Sequence, residues 1–431
     1  MNTAVATMLV LASLPAVAVV VIWMWRRPVR LLAAYMATLP FGSAIALPIG
    51  LPRSFTTISS LLGVATGAMY LWRWVRERPI LRIPSLSLPV WLLFSAVAVA
   101  STIWSIRSGT TIDALLVLAS LVGLFAVVVL TPISVNDLKM IRVWIATGAG
   151  ATGFYALSLA ATGNLPTTGA GVARFEITGA GGGEGGDPNI TAAALVVPIA
   201  VALWEGLNPE RSRRERVFFL LAAAGAGVAV LLTASRGGLI SVAIVAIITV
   251  LSYRRGVVSL ALLGLLVLPA VLLAPSTFET RAGNSGTTGR TEIWRLAIES
   301  CQEYCPTVSG FGTFADVHET AFLISEEATG TQLRYQAHSI WFGVLIELGV
   351  LGFVLLVAAL TITVRDVFRL PESSRGGALA GMVGLLVAST FLSDLTFKFF
   401  WMALIYSVLV VSSTETQGPA AVPPTSRSLT L

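Results

Sequence analysis

VFFLLAAAGAGVAVLLTASRGGLISVAIVAIITVLS, residues 217–252, decides the fold. Arg236 is the single ionisable residue in this stretch. A membrane-spanning helix takes about 20 predominantly apolar residues. The stretch therefore reads as two spans, near 217–234 and 237–252, joined by a narrow break at Ser235–Gly238. A cation in such surroundings is costly unless it faces water or an anion.

The rest of the chain follows the same pattern. It has 431 residues, of which 55% are hydrophobic and 12% charged, with a mean hydropathy of +0.84. Soluble domains carry about 25% charged residues, so composition points to an all-α polytopic integral membrane protein. Further spans are expected near 4–25, 29–50, 56–73, 87–104, 111–131, 139–161, 190–206, 257–274, 339–361, 377–393 and 398–412, about 12–13 in all. Residues 1–413 then form one transmembrane domain with a long loop, 275–337, inserted between spans. The Pro/Ser/Thr-rich tail, 414–431, has the composition of a disordered segment.

Charge sets the orientation. A pI near 9.7 raises the question of nucleic acid, but the basic residues are spread over short loops between apolar runs, so no nucleic-acid partner is expected. Arg26, Arg27 and Arg30 follow the first span, and Arg73, Arg76, Arg78, Arg82, Lys139, Arg142, Arg211, Arg213, Arg214, Arg216, Arg254, Arg255, Arg365, Arg369 and Arg375 fall in alternate loops. That bias marks those loops as cytoplasmic. The first span lacks a preceding basic residue, which reads as an anchor with its N-terminus outside rather than a cleaved signal.

The two long loops then face outward. The first, 162–188, is dense in glycine. In the second, Ile293, Trp294, Ala297, Ile298 and Cys301 recur at helical spacing, predicting an amphipathic helix ended by Pro306. It would lie on the membrane or cap a cavity. Cys301 and Cys305 fall in this loop; a bridge between them and two free thiols are both open. Neither cysteine joins a metal-ligand pattern.

Arg174, Arg236, Arg290 and His338 stand out on the outer side. Arg236 is either an interfacial side chain reaching for headgroups or an anion ligand. Arg290 stands beside an expected helix N-terminus, whose dipole also favours an anion. Asp187-Pro188-Asn189 reads as a helix start with Asp187 as cap, and Asn189 is a candidate cavity-lining residue. His338 tops a span; its imidazole suits general-base work near neutral pH. Glu347, nine residues on, lies about 13.5 Å deeper at helical rise. It is read as a buried, paired acid and a candidate cavity-lining residue. Asp394 and Lys398 are read as an ion pair.

These residues occur in the stretches RFEITG (174–179) with DPN (187–189), LTASRGGL (232–239), GRTEIWRLAIE (289–299) with CPTVSGFGTF (305–314), and AHSIWFGVLIELGVLGF (337–353). Their order resembles the O-antigen ligase and polymerase family of bacterial envelopes. Ser339 stands where that family usually has Asn, and Cys305-Pro306 where it has Asn-Pro. The resemblance implies a GT-C-like glycosyltransferase of the bacterial cytoplasmic membrane, using neither metal nor other cofactor. It would move a glycan from an undecaprenyl diphosphate carrier to a hydroxyl of a glycan, lipid-glycan or protein acceptor on the outer face, among membrane lipids and other polysaccharide-assembly proteins. It carries the base to His338 and the diphosphate contacts to Arg236 and Arg290, with Arg174 secondary. Two other classes compete: a transporter of an anionic solute, which would place its charges near the midplane, and a non-catalytic assembly subunit, which would tolerate loss of His338.

Overall fold

The computed structural model describes residues 27–41, 56–79, 81–167, 173–177, 186–253, 290–324, 335–393 and 395–415. Thirteen α-helices lie among them: α1 (Pro28–Thr38), α2 (Ile58–Glu77), α3 (Ser87–Ala100), α4 (Ser108–Val129), α5 (Val135–Ala161), α6 (Pro188–Leu207), α7 (Arg213–Leu232), α8 (Arg236–Tyr253), α9 (Arg290–Thr307), α10 (Phe314–Ile324), α11 (Ile340–Phe368), α12 (Glu372–Ser389) and α13 (Lys398–Glu415). The all-α polytopic expectation holds. By length and composition α4 to α8 and α11 can cross a membrane, and α3 and α13 are shorter apolar helices. The expected spans at 4–25 and 257–274, and the tail from residue 416, lie outside the described residues.

Local chemistry sets the helix ends. Ser134 with Asp137 and Ser212 with Glu215 form reciprocal capping boxes at α5 and α7, satisfying N–H groups that lack intrahelical partners. Asp187 caps α6 by accepting from Asn189 N–H, with Pro188 as its first residue. α6 is buried along its length except at Asn189. Its neighbours are α5, α7, α8 and α12, an all-round apolar helix at the centre of a bundle. Val64, Leu116, Phe154, Leu221, Ile247, Leu251, Leu351 and Val354 lie exposed on the outer helices, as a lipid-facing rim requires.

α11 is not one straight helix. Gly349 has φ 66° and ψ −166°, a conformation essentially reserved for glycine. A Cβ there would come 2.6 Å from Val308 Cγ1 and 2.9 Å from the Cys305 carbonyl. The break releases carbonyls from the helical ladder, and the 308–314 turn takes them up. Ser309 N–H donates to Ile346 O at 3.1 Å and Gly310 N–H to Glu347 O at 3.0 Å. Glu347, expected as a buried, paired acid, is buried and finds its partners in the backbone of that turn. Its carboxylate accepts from the backbone N–H groups of Phe314, at 3.1 Å, and Gly312, so it caps α10.

The same turn is pinned from its other side. Ser101 Oγ accepts from Phe311 N–H at 3.0 Å, Ile106 N–H donates to Ser309 O at 2.9 Å, and Arg107 pairs with Asp316 at 2.9 Å. In α9 the amphipathic reading needs two amendments. Ile298 is exposed, and Pro306 lies inside the last turn, which closes where Val308 N–H reaches Tyr304 O at 2.8 Å. Cys301 and Cys305 are disulfide-bonded, their Cα atoms 4.7 Å apart. His318 is buried in α10, its ring centroid 5.3 Å from that of Tyr335.

Candidate functional site

The break inside 217–252 is a tight turn. Ala234 takes φ +49°, and Ser235, 1% exposed, starts α8 by accepting Gly238 N–H at 3.2 Å. Ser235 Oγ also donates to Asn189 Oδ1 at 2.8 Å, and Asn189 Nδ2 donates to Asp187 Oδ1 at 3.0 Å. One chain of hydrogen bonds thus locks the start of α6 to the start of α8. Arg174 braces the turn: it is 8% exposed, and its Nε donates to Thr233 O at 2.8 Å. Beside it Phe175 N–H donates to Leu232 O at 2.8 Å. Arg236, the first residue of α8, is exposed.

A small cavity opens beside this turn, lined by Asn189, Ser235, Gly237, Gly238 and Phe391 with their apolar neighbours. Phe391 packs on the α8 backbone; a Cβ at Gly237 would meet its ring at 3.1 Å. The same ring stacks on Trp294, centroids 6.4 Å apart and planes 25° apart. Trp294 also lies 5.9 Å from Phe342 and donates its indole N–H to Ala337 O at 3.2 Å. His338 follows at φ +44°, sparsely populated for a side chain with a Cβ. Strain of this kind persists where surroundings over-determine it and is concentrated at functional sites. Ser339 then starts α11.

Two aromatic rings therefore couple the Arg236 turn to the His338 turn. Arg290 is the first residue of α9, about 6 Å along the axis from Trp294 at 1.5 Å per residue; its side chain lies outside the described part. α6, α8, α9 and α11 all begin at this end of the bundle, so their positive dipole ends converge on an anion-favouring region. Glu347 does not line the cavity; it holds the 312–314 turn. The Asp394 half of the expected ion pair lies outside the described residues, and Lys398 Nζ meets the Ser59 and Ser60 hydroxyls at 3.1 and 2.6 Å.

Trp294 and Phe391 were not visible as site residues in the sequence. Trp294, one turn after Arg290, registered only as part of an apolar face. Phe391 sits at the end of a span with no local signal.

The fold and this arrangement define a multi-pass membrane protein with arginine, histidine and converging helix starts at one end. Residues 217–357 match the model of the O-antigen ligase family. The match runs from α7 to the middle of α11 and includes Arg236, Arg290, His338 and Glu347. Comparison with curated proteins finds no match. The family and the spans together support a membrane protein of glycan-transferring type.

Proposed function

We propose that this chain transfers a glycan from an undecaprenyl diphosphate carrier to an acceptor hydroxyl at the outer face of a bacterial inner membrane. His338 removes the hydroxyl proton as the acceptor oxygen attacks the anomeric carbon. The bond from that carbon to the diphosphate breaks, and undecaprenyl diphosphate leaves with the electron pair. Arg236 and Arg290 bind the diphosphate and offset the charge that grows on it. Arg174, with Nε held by Thr233 O, supports them by fixing the turn that presents Arg236. Asn189 lines the cavity between. Polymerase and ligase differ in which molecule supplies the hydroxyl.

The observation that carries this reading is the Gly237–Phe391–Trp294–Ala337 connection. It brings an exposed arginine, a helix start bearing a second arginine and a strained histidine turn into one unit. A transporter needs its charges along a path near the midplane, whereas these stand at helix starts. The test is retention of a synthetic undecaprenyl diphosphate glycan by the purified full chain in EDTA. Wild type should bind and Arg236→Ala should bind at least tenfold more weakly. Equal binding by both would remove the diphosphate role, and protein-dependent flux of an anion into liposomes would favour the transporter.

A further inference from the structure

At the other end of the bundle Glu205 is 1% exposed and clamped between two arginines. Arg142 Nη1 reaches its Oε1 at 2.8 Å, and Arg211 Nη2 reaches Oε2 at 2.6 Å. Arg142 Nε also donates to the Tyr406 hydroxyl at 3.1 Å, and Arg211 lies 3.4 Å from Glu215. Asn189 and Glu205 are on the same helix, roughly 24 Å apart at 1.5 Å per residue, so this cluster is separate from the candidate site.

A cavity of about 220 Å³ opens over it, lined by Lys139, Arg142, Arg211, Glu210, Ser373 and Ser374 among others. Both serines sit in the first turn of α12, where backbone N–H groups and the helix dipole favour an anion. Among the described residues no carboxylate pairs with Lys139, and the Ser373 and Ser374 hydroxyls bond to no other protein group.

We infer that this cavity binds a phosphate-bearing anion. Two guanidinium groups, an ammonium and two serine hydroxyls line a single space; Arg211 is held by Glu205 and Glu215 through all three nitrogens, so Arg142 and Lys139 are the cations on offer, and guanidinium suits phosphate oxygens in a way few other groups do. Glu205 does not cancel the site. It is consumed holding the two guanidinium groups in place, and Arg142 keeps Nη2 uncommitted. Glu210 is the one carboxylate on the cavity wall and opposes the anion.

The phosphate can come from an anionic lipid headgroup or from solution, and one experiment separates them. The unfolding midpoint of the purified full chain is measured in detergent with phosphatidylglycerol, with phosphatidylcholine, and with inorganic phosphate. A rise with phosphatidylglycerol alone identifies a headgroup site, and a rise with inorganic phosphate identifies a soluble ligand. The double variant Lys139→Ala/Ser374→Ala should need about tenfold more ligand for the same rise, the loss of a charge-assisted contact. Glu210→Gln should need less. Arg142 is left intact because removing it would strand Glu205 as a buried charge. No rise with either phosphate source, or a double variant that responds like wild type, overturns the proposal.

Discussion

Trp294 donates its indole N–H to the carbonyl of Ala337, 3.2 Å away and one residue before His338. The bond ties α9 to the strained turn that starts α11. The same ring stacks on Phe391, which packs against Gly237 beside Arg236. Through Trp294, α9 thus touches the histidine turn directly and the Arg236 turn by way of Phe391.

Trp294→Ala should therefore uncouple them. Removing a large packed aromatic costs about 3–5 kcal/mol, and transfer should fall sharply. Trp294→Phe keeps most of the stacking area and loses one hydrogen bond, worth about 1 kcal/mol. Amide hydrogen exchange at residues 335–340 should rise strongly in the first variant and slightly in the second. Unchanged exchange in Trp294→Ala would show that the tie is not the one holding the histidine turn.

Arg236→Ala and Arg290→Ala should each lower transfer by about a hundredfold or more, the usual size for a lost charge-stabilising group, while both proteins still insert. Arg290→Lys should fail as well if the contact is bidentate, because an ammonium cannot reproduce the planar fork. Transfer rates on membranes normalised to inserted protein check this. Activity within a few-fold of wild type in all three would remove the arginines from the mechanism.

The α11 break should be sensitive to single atoms. Gly349→Ala places a Cβ against Val308 and the Cys305 carbonyl in a conformation that disfavours it, at about 1–3 kcal/mol or more. Glu347→Ala strands the Gly312 and Phe314 N–H groups inside the protein, about 1–3 kcal/mol; Glu347→Gln keeps an acceptor and should cost less. Unfolding midpoints in detergent should rank wild type above Glu347→Gln, and that above Glu347→Ala.

Much of this fold was legible because hydrophobic period and loop charge are local signals. The spans near 190–206, 217–234 and 237–252 reappear as α6, α7 and α8, and the Asp187-Pro188 start caps α6 as its residues require. What escaped the sequence depends on partners far away along the chain. Nothing near Glu347 indicates that a turn 33 residues earlier needs a cap. Nothing near Phe391 indicates that it will lie between Gly237 and Trp294. Arg142 and Arg211 read as topology signals, and only folding shows that Glu205, at the end of a span, gathers both. Ile298 was misplaced because helical spacing defines an apolar stripe but not its edges.

The disulfide closes a very short loop, so its contribution is modest, about 2 kcal/mol on the chain-entropy account. Cys301→Ser should loosen the last turn of α9 and lower the unfolding midpoint slightly, with transfer largely kept. Loss of transfer comparable to that in Arg236→Ala would show that the bridge shapes the site rather than the helix end.

The most direct test of the central claim is glycan transfer by the purified protein from a synthetic undecaprenyl diphosphate glycan, in EDTA, wild type against His338→Ala. The account predicts transfer by wild type without metal and its loss, by about a hundredfold or more, in the variant, whose fold and donor binding stay intact. Equal transfer by His338→Ala would contradict the account, as would wild-type transfer that EDTA abolishes and added metal restores.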